Sequence, residues 1–218
     1  MKKEYKAIYQ GNESEMIEKK SKFIASTCPV TSEDDAIHFI DKKKKEHWNA
    51  SHNCYAYTIG TNHEITRFSD DGEPNQTAGK PMLDVLLGED IHNVVVVVTR
   101  YFGGTLLGTG GLIRAYQGAA KKGLANSVII HKILGNKLHI ITNYNEIGKL
   151  QYIVSQMELE ILKIDYQDLV DVLLLVPENQ LNGFTKKWAN ITNGKGHITN
   201  EGKVYFATVE KEVIVFEE

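Results

Sequence analysis

The stretch NVVVVVTRYFGGTLLGTGGLIRAY, residues 93–116, decides the fold. Five consecutive valines leave no alternation between an apolar and a polar face. Such a segment is a strand buried on both sides, central in its sheet and covered by helices above and below. A glycine-rich loop follows, and then a helix over LIRAYQGAAKKGLAN, residues 112–126, whose core face carries Leu112, Tyr116, Ala119 and Gly123. Strand, glycine loop and helix N-terminus together are the physical recipe for an anion site, because backbone N–H groups and the helix dipole point at the same place. The nucleotide motifs fail in detail. Gly103 and Gly108 have phosphate-loop spacing, but Thr109 stands where the lysine is required. After Gly108 and Gly110, the third position of a dinucleotide fingerprint is Ile113. Neither ATP nor NAD is expected, and no other cofactor. The candidate phosphate- or nucleic-acid-binding residues are Arg100, Gly103, Gly104, Gly108, Gly110, Gly111, Arg114 and Lys121.

Upstream lies FSDDGEPNQTAGKPM, residues 68–82, with Asp70, Asp71 and Glu73 in one tight segment. Three readings compete: a metal site, an acid/base site, or a rigid loop on which other residues lean. The metal reading lacks a pattern. Asp70 is followed at alternate positions by Gly72 and Pro74, and Pro81 stands where a calcium loop needs its glutamate. No metal is expected. Arg114, read in the first turn of its helix, opposes the dipole and calls for an anion. That anion is either a bound phosphate or one of the three carboxylates, and the sequence leaves both open. His52 and Cys54 share one face of a strand. They read either as a Cys–His nucleophilic pair or as a buried thiol beside a surface histidine.

Working outward, KEYKAIYQ and SKFIAST read as strands, and TSEDDAIHFIDKKKKEHW, residues 31–48, as a helix capped by Thr31 or Ser32. Ile37, Ile40 and Trp48 are its expected core face, and Lys42–Lys45 a solvated one. HNCYAYTIG and EITRFS form a hairpin, and AGKPMLDVLLGED a short helix. After Ser127 a complete β-α-β-β-α-β pattern starts afresh, the order of a ferredoxin-like domain. The expected organisation is α+β, with residues 1–134 and 135–218 as two domains joined near 127–136.

The bulk numbers fit this picture. Apolar residues are 42% and charged residues 24%, ordinary for a packed protein. The formal net charge is −3, with the acidic excess in the second half. A chain so balanced is no indiscriminate DNA binder, and any nucleic-acid contact must be local. Two cysteines without a C-x-x-C motif suit a reducing compartment, and the first residues lack a signal-peptide core. The apolar run Val94–Val98 is far too short to cross a bilayer. A cytoplasmic protein without membrane contact is expected.

DDGEP…TAGKP followed by VVVVVTRYFGGTLLGTGGLIRAY resembles the signature of the IMPACT family, in its two-domain bacterial YigZ-like branch. One departure is Gln76, where the family pattern has glycine. The resemblance implies an N-terminal two-layer domain similar to domain IV of elongation factor G and a ferredoxin-like C-terminal domain. It also implies regulation of translation, exercised in eukaryotic relatives through protein partners, and it supplies no catalytic residues. The expectation is a translation-linked regulatory or RNA- or ribosome-binding protein without catalysis. The alternatives are a hydrolase built on the acidic loop or on His52 and Cys54, and a protein-interaction module using the acidic second half.

Overall fold

A computed structural model describes residues 2–216. The chain is α+β and divides into two compact units, one of Glu4–His131 with Lys2, the other from Lys132 onward.

In the first unit a five-stranded sheet runs in the order β2 (Glu13–Glu18), β3 (Ser21–Pro29), β7 (Val94–Tyr101), β4 (His52–Ile59), β5 (Ile65–Ser69). The valine strand β7 is central, antiparallel to β3 on one side and β4 on the other. Its alternate valines serve two cores. Val94, Val96 and Val98 pack with Met82 and Leu86 of α2 (Gly79–Gly88) and with Leu112, Tyr116 and Ala119 of α3 (Thr109–Ala125). Val95 and Val97 pack with Ala36 and Ile40 of α1 (Glu33–Glu46). The short strand β6 (Ile91–His92) pairs in parallel with β1 (Glu4–Gln10).

Helix α1 is closed by a capping box: Ser32 Oγ accepts from Asp35 N, and the Asp35 carboxylate accepts from Ser32 N. Its buried face differs from the sequence expectation. Ala36, Ile40 and Lys43 face inward, whereas Ile37 is half exposed and Trp48, beyond the C-cap His47, is 82% exposed. Small Ala36 fits closely against the sheet where the larger Ile37 was expected. The lysine run is not simply solvated either. Lys43 reaches Glu13 Oε1 at 2.7 Å and Glu46 Oε2 at 2.6 Å, and Lys44 reaches Asp71 Oδ1 at 3.0 Å.

The second unit follows the order β8 (Val128–Thr142), α4 (Ile147–Gln156), β9 (Glu160–Tyr166), β10 (Val170–Pro177), α5 (Leu181–Ile191), β11 (His197–Val209), and adds β12 (Glu212–Phe216). Strand β8 is flanked by antiparallel β10 and β11, with β9 outside β10 and β12 outside β11. Phe184 and Trp188 of α5 and Leu150 and Ile153 of α4 pack on Leu138, Ile140, Val172 and Leu174.

Two hairpins are absent from the sequence reading for one reason. The β2–β3 turn holds Lys19 and Lys20 at φ of 45° and 69°, and the β11–β12 turn holds Glu210 and Lys211 at 49° and 76°. Two-residue turns of this left-handed kind usually announce themselves by Asn-Gly or Gly-Gly. Here charged residues take the positions, and no signal marks them.

Candidate functional site

A cavity of about 540 Å³ opens in the first unit, walled by the start of β4, the acidic loop, the end of β7 and the glycine loop. His52, Glu73, Arg100, Phe102, Leu106 and Leu112 line it.

Each acidic-loop carboxylate has an internal task. Asp70 accepts backbone N–H groups from Gln76 at 2.8 Å, Ala78 at 3.0 Å and Gly79 at 2.8 Å. It thereby closes the N-terminus of α2, whose own N-cap, Ala78, has no side chain able to do so. Asp71 accepts from Asn53 N at 2.6 Å and from Lys44 Nζ at 3.0 Å, pinning the loop to β4 and α1. Glu73 Oε1 accepts from Arg100 Nη1 at 2.6 Å and Tyr116 Oη at 2.8 Å. Asp70, Asp71 and Glu73 thus each accept from groups of the protein itself.

Arg100, a candidate phosphate ligand in the sequence, is buried and paired with Glu73. It is 5% exposed, because it lies in the central strand with a cation-π partner on either side, Phe23 and Phe102, each ring centroid 5.5 Å away. Its Nη2 donates to Ser21 Oγ at 3.2 Å, while Nε has no hydrogen-bond partner. Arg100 therefore positions Glu73 and the cavity wall. Arg114 is also placed differently. Helix α3 begins at Thr109, so Arg114 lies in its second turn, and it forms no ion pair with Asp70, Asp71 or Glu73 among the described residues. Exposed, it folds back so that Nη1 lies 3.6 Å from where a Cβ on Gly110 would stand.

His52 and Cys54 do not form a nucleophilic pair. The Cys54 thiol donates to the Asp70 carbonyl at 2.9 Å and lies 3.4 Å from Tyr116 Oη. Burial pushes this thiol far up, against the hydrogen bond with Tyr116, so it stays protonated. Burial likewise pushes the Tyr116 phenol upward. The ring of His52 is held by the Asp71 carbonyl, 2.8 Å from Nδ1, and its Nε2 is 3.8 Å from Glu73 Oε1. A carbonyl only accepts, so Nδ1 carries the proton.

The other wall is the glycine loop. Gly103 lies flat against the β2–β3 turn, where a Cβ would fall 2.0 Å from the Lys20 carbonyl group. Gly108 is the N-cap of α3 at φ 71° and offers no side-chain cap. Gly104, Gly108 and Gly110 are exposed, and a Cβ on either of the first two would meet open space. The N-terminus of a 17-residue helix is thus left uncapped by any side chain. Gly111 is half-buried beside Leu107, and Lys121 stands exposed further along α3. The structure adds Lys19 and Lys20, exposed on the turn that Gly103 touches. Their weak turn signal concealed that they belong to this face.

Comparisons with known proteins follow the same division. The family model described as the Impact N-terminal domain matches residues 19–124, and the one described as a Domain of unknown function (DUF1949) matches residues 140–195. The chain is 39% identical over 202 residues to IMPACT family member YvyE of Bacillus subtilis (strain 168), covering 93% of each protein. It is 34% identical over 178 residues to IMPACT family member YigZ of Escherichia coli (strain K12), covering 81% of this chain and 87% of the relative. A solved structure described as "Crystal structure of an hypothetical protein" matches with a TM-score of 0.60 at 29% identity, over 97% of this chain and 100% of that one.

Proposed function

The chain belongs to the IMPACT family, and from that premise we propose a translation-linked regulatory protein that binds RNA through the glycine-loop face of its first unit without catalysing a reaction. The observation that carries this reading is the uncapped N-terminus of α3, set among open glycines and exposed cations. Orphan N–H groups there donate to a phosphate oxygen, and Arg114, Lys121, Lys19 and Lys20 neutralise neighbouring phosphates. Arg100 and Glu73 are the rigid floor behind that face. The apolar side chains Phe102 and Leu106, which are 49% and 82% exposed, give an unstacked base a surface to lie on.

The absence of catalysis rests on how the reactive groups are used. Cys54 is a buried, protonated thiol, and each acidic-loop carboxylate already accepts hydrogen bonds from the protein. One observation favours the hydrolase alternative: His52 stands on the cavity wall with its Nδ1 held and Nε2 near Glu73. It supplies a general base.

The test is fluorescence anisotropy of a labelled single-stranded RNA with the full chain. Arg114→Glu and the pair Lys19→Glu with Lys20→Glu should each weaken binding, whereas His52→Ala should leave it unchanged. RNA affinity indifferent to all these charge reversals would defeat the reading. Loss of a hydrolytic activity in His52→Ala alone would establish the alternative.

A further inference from the structure

We propose that His63, Asp90 and His92 form a binding site for one transition-metal ion of the zinc type, in which the Lys2 ammonium holds the metal's place. The three residues come from two separate segments, far apart in sequence, which is why no ligand motif is legible there. His63 lies in the β4–β5 turn and Asp90 and His92 around β6, all within the first unit. Their ligand atoms all lie within 4.8 Å of one another. Asp90 Oδ1 is 2.9 Å from His92 Nε2 and 3.3 Å from His63 Nε2. Ligands about 2.0–2.1 Å from a tetrahedral zinc stand about 3.3 Å apart, so the trio is close to size.

The outer contacts orient the donors. His92 Nδ1 lies 3.1 Å from the Gly60 carbonyl, which only accepts, so the ring proton is on Nδ1 and the lone pair of the neutral ring is on Nε2. His63 Nδ1 is held by Thr58 Oγ1 at 2.6 Å, leaving Nε2 on the Asp90 side. This is the outer support that metal-bound imidazoles ordinarily have. An imidazole lone pair facing a carboxylate oxygen at 2.9 Å calls for a cation between or beside them. Lys2 supplies one: its Nζ is 2.9 Å from His92 Nε2 and 3.2–3.3 Å from the two Asp90 oxygens. His92 is fully buried, while Asp90 is 57% exposed, so an ion enters from the Asp90 side. Two nitrogens and one carboxylate oxygen suit zinc and its neighbours better than calcium or magnesium. The imidazole rings stack with centroids 3.8 Å apart and planes 14° from parallel. Metal entry therefore displaces Lys2 and tilts the His63 ring, which sits on a turn at φ 55°.

The experiment uses the full chain, stripped with EDTA and dialysed against zinc sulfate, with Co²⁺ absorption in the visible as a second probe. One Zn²⁺ per chain should bind and raise Tm by about 5–10 °C when free zinc is near 100 times Kd. His63→Ala should weaken binding by at least about tenfold. Lys2→Met should tighten it, because the competing ammonium is gone. Should His92→Ala fail to fold, Asp90→Asn, at an exposed position, replaces it and should also weaken binding. Failure to take up zinc overturns the proposal. So does uptake that His63→Ala and Asp90→Asn leave unchanged, or weaker binding in Lys2→Met.

Discussion

Gln76 holds a φ of +59°, a conformation that suits glycine, the residue the IMPACT pattern has at this position. Its N–H is also one of the three that Asp70 accepts, so the loop holds the strained angle in place. Gln76→Gly should raise stability by about 0.5–1 kcal/mol, the left-handed penalty less the entropy of glycine. A urea midpoint that falls would show the glutamine side chain to be a stabilising contact. Arg100 and Glu73 show the opposite case, a buried pair whose members depend on each other. Arg100→Ala or Glu73→Gln leaves a buried charge without its partner and should cost about 3–5 kcal/mol. Making both changes, Arg100→Ala with Glu73→Gln, should cost less than the two single changes added together. A double-mutant cycle with strictly additive losses would refute that coupling.

At the scale of elements, the valine strand was legible because burial on both faces leaves a pattern that nothing else imitates. The helix positions of α3 were legible because Leu112, Tyr116 and Ala119 repeat at helical spacing. What the acidic loop does was not, since the partners of its carboxylates lie on β4, β7, α1 and α3, and only folding brings them together. The same holds for the lysine turn beside Gly103 and for the cluster around His92. Asp70 makes this concrete. It caps α2 from outside the helix, and Asp70→Ala should cost about 1–2 kcal/mol, with Asp70→Asn losing less. Equal losses in thermal unfolding would mean that the charge contributes nothing. Glu13 joins β2 to α1 in a similar way. Lys43's hydrogen bond holds the Glu13 carboxyl below its ordinary 4.5, against the desolvation that raises it. The folded value is the lower one, so this stability is present above pH 4.5 and is lost as pH falls through the folded value. With the side chain 53% exposed, the contribution is at most about 1 kcal/mol. Stability of Glu13→Gln measured from pH 6 to pH 3 should fall less than that of the parent chain.

For the whole molecule, a net charge of −3 forbids strong binding to RNA by general attraction. On the proposed reading, RNA binding comes from one face, and the number of phosphates that face neutralises is small. Lys19, Lys20 and Arg114 are exposed cations near the glycine loop, and Lys121 is exposed further along α3. If each meets one phosphate of a single strand, log Kobs against log salt should have a slope of about −2 to −3. Reversing Arg114 alone should reduce the slope by about 0.7, the share of one phosphate. Arg100→Lys, by contrast, alters the buried floor and should leave the slope unchanged while lowering stability. The measurement is RNA anisotropy over a series of salt concentrations for these chains. A slope near zero would move recognition away from the phosphate backbone and towards a protein partner. A slope much steeper than −3 would require cations outside this face, and charge reversals at Lys42 and Lys45 on α1 would then locate them.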